Sequence, residues 1–339
     1  MTDVDVDPND NITEHPFAQY VRILGKGKKG SRSLTLEEAK DAMGKILDGE
    51  VEEVQLGAFL MLLRVKEETP EELAGFVQAV KERIHAPSDI QVDLDWSSYA
   101  GKRRHLPWFV LSIMCMANKG IKTFIHGASG HTEGRLYTES ILKDLGLPVC
   151  TSWEAVKKSL VDHQFAYLKL SVISAGLDRM INLRPILGLR SPVHSLSRLI
   201  NPLDAPSVVQ GIFHPPYLQL HQLAGALLNY DHFAVIKGEG GEIERNPDNE
   251  MKVLASHSGK CEDETWPSLF DKRHIKGQDL SAQFLKSVWK GDASDEYGEA
   301  AVVSTMALAL KTMGRANTQE DALSMAQSYW ETRNRHFIG

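Results

Sequence analysis

The chain sets three cations in a row, Lys102, Arg103 and Arg104, between Gly101 and His105. Ammonium and guanidinium groups make strong, charge-assisted hydrogen bonds to phosphate oxygens, so such a run suits contact with a polyanion. An ordinary solvated loop has the same composition. Trp108, just beyond, reads equally as a base-stacking ring or as a core residue of the next helix. A second basic stretch holds Arg22, Lys26, Lys28, Lys29 and Arg32, with no acid between residues 15 and 36. Glycines between these cations suit tracking of a phosphate backbone, and a flexible linker is the alternative. Arg184, Arg190 and Arg198 form a third group, with His194 among them; Arg135 and Lys237 are weaker candidates.

Other chemistry finds little support. No nucleophile–base arrangement and no zinc-ligand spacing stands out, so catalytic residues stay unassigned and no metal is expected. Cys115, Cys150 and Cys261 are far apart and odd in number, which predicts free, buried thiols and no disulfide framework. The net charge of −7 gives no global argument for nucleic acid, and it is unevenly spread. Asp3, Asp5, Asp7, Asp10 and Glu14 make an acidic tail, expected to be disordered over residues 1–15. No apolar run approaches the roughly 20 residues of a membrane span, and the first residues do not resemble a signal peptide. A soluble, cytoplasmic protein without membrane partners is expected.

These candidates must be held by regular elements. Residues 16–24 have helical spacing, and 25–33 form a Gly-rich basic linker. Thr35 and Glu38 predict a capping box for a helix that Gly49 ends. Residues 54–65 are apolar on nearly every side, which predicts a helix buried between neighbours. Thr69-Pro70 starts another helix running to about Ile84. From residue 90, strands at 121–125, 166–170, 208–213 and 233–237 alternate with helices at 107–118, 134–145, 152–159 and 216–229. Such alternation implies a mostly parallel sheet covered on both faces. Helices at 280–290, 296–314 and 318–334 complete the chain.

Residues 36–76, LEEAKDAMGKILDGEVEEVQLGAFLMLLRVKEETPEELAGF, closely resemble the opening of anthranilate phosphoribosyltransferases. Gln55, Gly57, Ala58, Phe59, Leu60, Arg64, Lys66, Glu68, Thr69, Ala74 and Gly75 fit that family's pattern, and Glu67 replaces its Gly. LGLRSPVHSLSRLINP (187–202) matches a second segment without gaps. The resemblance, from about residue 20 to 335, implies a nucleoside phosphorylase/phosphoribosyltransferase-like α/β fold. It implies a small helical domain at 16–88, completed by about 176–204, and a large α/β domain from 89–175 and 205–339. It also implies a homodimer formed through the helical domain.

The resemblance fails at the substrate positions. Tyr99-Ala100-Gly101-Lys102-Arg103-Arg104-His105 stands where the family has the glycine loop that grips phosphoribosyl pyrophosphate with backbone amides. Only Gly101 survives. His126 and Gly127 remain from Lys-His-Gly-Asn-Arg. Ile243 and Glu244 take the place of the paired carboxylates that carry Mg²⁺, with Glu239 and Glu242 nearby. Arg190 is kept, while His194 replaces Asn, and Ser197-Arg198 replaces Gly-Pro. Gly101, His126, Gly127, His194 and Glu244 thus mark ancestral substrate-site positions.

This pattern resembles a divergent second branch of the family, regarded as prokaryotic DNA-binding proteins that lack the glycine loop. It implies a single-stranded nucleic-acid binder using Lys26, Lys28, Lys29, Arg32, Lys102, Arg103, Arg104, Arg190 and Arg198, without a cofactor. The alternative is an active pentosyltransferase using phosphoribosyl pyrophosphate and Mg²⁺. A non-catalytic sensor of a nucleotide or polyphosphate is a third possibility.

Overall fold

The computed structural model describes residues 13–130, 132–274 and 279–338. Most of the expected acidic tail therefore lies outside the described residues.

Four helices open the chain: α1 (Ala18–Gly25), α2 (Leu36–Leu47), α3 (Glu53–Lys66) and α4 (Pro70–Lys81). Thr35 caps α2 as the sequence predicts: its side chain accepts from the Glu38 amide, while Glu38 accepts from the Thr35 amide at 2.9 Å. Thr69 and Glu72 do the same for α4, with Pro70 in the first turn. Each such cap is worth about 1 kcal/mol.

The large unit follows in order: β1 (Leu94–Ser98), α5 (Phe109–Asn118), β2 (Thr123–Gly127), α6 (Thr138–Asp144), α7 (Trp153–His163) and β3 (Phe165–Lys169). Four short helices come next: α8 (Leu170–Ile173), α9 (Ala175–Ile181), α10 (Arg184–Leu187) and α11 (Val193–Leu196). Then come β4 (Ser207–Ile212), α12 (Pro216–Leu227), β5 (His232–Lys237), β6 (Met251–His257), β7 (Lys260–Trp266), α13 (Ala282–Lys290), α14 (Glu296–Thr312) and α15 (Gln319–Glu331). The sheet order is β3-β2-β1-β4-β5-β6-β7. The pairs from β3 through β5 are parallel, and β6–β7 adds an antiparallel hairpin at one edge. The fold is thus a small helical domain on a larger α/β domain with a mostly parallel sheet.

Apolar side chains cover both faces of that sheet. On one, Trp96, Trp266 and Trp289 pack with α5, α13, α14 and α15. On the other, Phe124, Val208 and Phe233 share a continuous cluster with the opening helices and with Leu177, Ile181, Leu196 and Ile200.

Four expectations need correction. β1 is absent from the strands predicted by pattern: all five of its residues are buried, yet Asp95, Ser97 and Ser98 disguise it. The edge strand β7 escapes for the opposite reason, being mostly exposed and acid-rich at Glu262, Asp263 and Glu264, a composition that discourages further pairing. α3 is not enclosed: Val54 and Val65 are 79% and 83% exposed, and Ala58 lies open between them. Cys115 and Cys150 are buried, but Cys261 is exposed, because it sits on that edge strand.

Candidate functional site

From the centre of the sheet, β1 leads outward to β2 on one side and β4 leads to β5 on the other. Ligands of open α/β sheets bind in the crevice this reversal opens, outside the carboxyl ends of the strands. The loops after β1, β2, β4 and β5 line it.

The loop after β1 is held by carboxylates of the loop after β5. Glu242 accepts from the amides of Ala100 and Gly101 at 2.5 and 2.7 Å, and from the Ser98 hydroxyl at 2.7 Å. Glu239 accepts from the amide of Arg104 at 2.7 Å and, more weakly, from that of Arg103 at 3.3 Å. Glu244 accepts from the Phe109 amide, at the start of α5, at 3.0 Å. Backbone amides that could close on a phosphate are thus already occupied by the protein's own anions. The seat for Glu242 needs glycine: a Cβ on Gly238 would stand 1.7 Å from the Glu242 carbonyl oxygen.

Lys102 completes this plug. It is almost fully buried, with Nζ 2.6 Å from Glu244 and 3.2 Å from Glu239. Burial acts to lower its pKa, but the two carboxylates outweigh it and hold the ammonium above its ordinary value. Burial likewise opposes ionisation of Glu239, yet Lys102 keeps that carboxyl below the usual range.

A different set of cations faces the crevice. Arg184 and Arg190 both donate to the Thr132 hydroxyl, at 2.7 and 3.3 Å. Arg135 donates to the carbonyls of Ala100 and Gly101, each at 3.1 Å. Arg198 is buried, donates to the Gly241 carbonyl at 2.8 Å and lies 5.9 Å from the centre of the Tyr99 ring. Burial lowers the pKa of Arg190, and Arg135, Arg184 and Arg198 lower it further. Among the described residues, the arginine ion pairs belong to Arg22, Arg32, Arg83, Arg179 and Arg315. Arg190 therefore sits among like charges without an ion pair among the described residues, an arrangement that an anion would relieve, whereas the Glu242 carboxylate offsets the charge of Arg198. Arg190 and Arg198 line a cavity of about 120 Å³ together with Arg64, His194 and Phe213. A second cavity of about 610 Å³ adjoins it, bordered by Arg104, Lys237, Lys252, Arg273 and again Phe213.

The candidate cations fare differently. Lys102 faces inward, so its expected phosphate contact gives way to an internal ion pair. Arg103 is exposed and borders neither cavity, whereas Arg104 borders the larger. Lys26, Lys28 and Lys29 are exposed in the turn after α1 and border neither. Arg32 is committed to Glu38 through two hydrogen bonds of 2.6 and 2.7 Å.

The ancestral positions sort as well. Gly101 has the positive φ of 66° that its turn requires. Gly127 ends β2, where a Cβ would stand 2.0 Å from the Ser98 carbonyl oxygen. His126 is a buried structural link: its Nε2 lies 3.1 Å from Asp95 and its Nδ1 2.7 Å from the Tyr99 hydroxyl. Trp108 is buried and packs edge-on near Phe284, which settles it as core. The approach of Arg135 to Arg184 and Arg190, the bridging position of Phe213 and the role of Glu242 were not assigned from sequence. The last had a signal. Glu242 and Glu244 alternate with the fully buried Ile243, so an extended segment would turn both carboxylates to one side.

The fold is that of the anthranilate phosphoribosyltransferases. The chain superposes on the enzyme of Thermus thermophilus with a TM-score of 0.79 at 20% identity, covering 96% of this chain and 97% of that one. The Saccharomyces cerevisiae enzyme in complex with PRPP and Mg gives 0.78 at 18% identity, covering 96% and 98%. Residues 19–84 match the profile described as glycosyl transferase family, helical bundle domain. Among sequence relatives, an anthranilate phosphoribosyltransferase of Geobacillus kaustophilus is 26% identical over 317 residues, 90% of this chain and 92% of that protein. The uncharacterized protein YbiB of Escherichia coli is 24% identical over 328 residues, 91% and 98% of the two chains. An uncharacterized protein of Aquifex aeolicus reaches 29% over 247 residues, 72% and 74%.

Proposed function

We propose that this protein binds single-stranded nucleic acid on a phosphoribosyltransferase scaffold, holding phosphates with guanidinium side chains at the switch-point crevice. One observation carries the reading: Glu239 and Glu242 already occupy amides of the loop after β1, and Glu244 the first amide of α5. A backbone phosphate grip is closed, while beside it Arg190 lies among Arg135, Arg184 and Arg198, where an anion would relieve the repulsion it feels.

Phosphoribosyl pyrophosphate with Mg²⁺ does not fit these residues. Its pyrophosphate would have to displace Glu242. Glu244, at a family metal position, is bound to Lys102 and the Phe109 amide, and its neighbour Ile243 is core. Phosphoribosyl transfer therefore rests on the fold and on the sequence relatives, not on these residues. The partner's phosphates supply the missing anions, with little reading of sequence. A homodimer, through the open apolar side of α3, would set two such crevices side by side and let one strand engage both.

The test sets the two activities against each other. The protein should release no pyrophosphate from phosphoribosyl pyrophosphate and Mg²⁺ with anthranilate or other amines, yet bind oligo(dT) at low salt. Sustained turnover, or no binding at low salt, overturns the reading.

A further inference from the structure

We infer that Phe213 is a base-stacking platform, placed where a single strand passes from the arginine cavity into the larger cavity beside it. This deepens the nucleic-acid reading and rests on it. Phe213 directly follows β4, the strand next to β1 at the switch point, and leads into the His214-Pro215-Pro216 turn that starts α12. A large apolar ring here would normally be drawn into the core. Instead it is 51% exposed, and it borders both cavities. His214 meets it edge-on, with ring centres 4.8 Å apart and planes at 82°, which braces the phenyl group.

The charges on either side suit a phosphate backbone. On one side Arg64, Arg190 and Arg198 stand against a single acid, Glu68. On the other, the larger cavity sets five cations, Lys102, Arg104, Lys237, Lys252 and Arg273, against Glu239, Glu244 and Glu250. Lys102 is consumed by Glu239 and Glu244. Arg104, Lys237, Lys252 and Arg273 form no ion pair among the described residues, so the basic groups facing solvent outnumber the one remaining acid, Glu250. An aromatic face between two cationic walls is the arrangement that single-strand binders use: side chains track phosphates, and a ring takes a base whatever its sequence. Paired bases present no free face to such a ring, so the site selects single strands. An acidic peptide would satisfy the cations but would gain nothing from the ring.

The experiment compares full-length wild type, Phe213→Ala and Phe213→Trp, each titrated with a 15-mer of oligo(dT) and separately with inorganic polyphosphate. Phe213→Ala should weaken oligo(dT) binding about 5- to 160-fold, the span of one lost stack. Its salt slope and its polyphosphate affinity should stay as in wild type. Phe213→Trp should restore oligo(dT) binding. Equal loss for both polyanions would mean that the ring only shapes the cavity, and unchanged oligo(dT) affinity would mean that no base meets it; either result overturns the inference and leaves the arginine reading standing. Failure of the wild type to bind either polyanion at low salt removes both.

Discussion

Replacing Glu242 by Ala should cost stability that an inorganic anion can restore. Glu242 is fully buried and accepts from two amides, Ala100 and Gly101, and from Ser98. Ser98 keeps a partner in Thr138 at 2.7 Å, so truncation orphans chiefly the two amides. An unsatisfied buried donor costs about 1–3 kcal/mol, which puts Glu242→Ala at about 2–6 kcal/mol less stable than wild type. Glu242→Gln retains one acceptor oxygen and should lose less. The emptied amides, beside Arg198, then form an open anion site. Pyrophosphate at a hundred times its Kd for those amides would return about 2.7 kcal/mol to Glu242→Ala, over and above what binding at the arginine cavity gives both proteins. Urea unfolding of the three proteins, with and without pyrophosphate, measures each number. A Glu242→Ala protein as stable as wild type, or equal stabilisation of both by pyrophosphate, refutes the plugged-loop reasoning.

Other consequences follow from the same geometry. Lys102→Met leaves Glu239 and Glu244 without their shared cation; breaking a buried ion pair costs about 3–5 kcal/mol, visible as a lower urea midpoint. His221 is buried against Gln210 at 2.7 Å, and burial pushes its pKa down to about 3. An unfolded imidazole gains its proton near 6.5, so between about 6.5 and 3 the unfolded chain binds more protons. The stability that neutral His221 supplies is complete above 6.5 and is lost as pH falls through that window. His221→Gln should flatten this part of the stability profile. Val54→Glu with Val65→Glu should yield monomers by light scattering if α3 forms the dimer face, while leaving the unfolding midpoint nearly unchanged, since both residues are exposed.

Much of the scaffold was legible because local rules agreed with the global fold. The Thr35 and Thr69 capping boxes, the Pro70 start and the four strands read from apolar pattern all reappear within a few residues. β1 was not legible, because its polar residues are buried through long-range bonds such as Asp95 to His126, which no local pattern reports. The site was legible in outline only. Sequence position put Lys102, Arg103 and Arg104 at the crevice mouth, but it did not reveal that Glu239 and Glu244, more than 130 residues away, claim Lys102. Arg135 reads from sequence only as a weaker candidate and Arg184 as one of the third basic group; that they approach each other shows only where the loop after β2 meets the segment before β4.

The most direct test of arginine-based anion capture is the salt dependence of oligo(dT) affinity for wild type and for Arg190→Gln with Arg198→Gln, the two that line the cavity together. Single-strand binding loses about 0.7 in log–log slope per phosphate neutralised. Wild type should therefore show a steep negative slope, and the double variant one shallower by about 1.4. A wild-type affinity indifferent to salt, or the same slope in both proteins, would contradict the account.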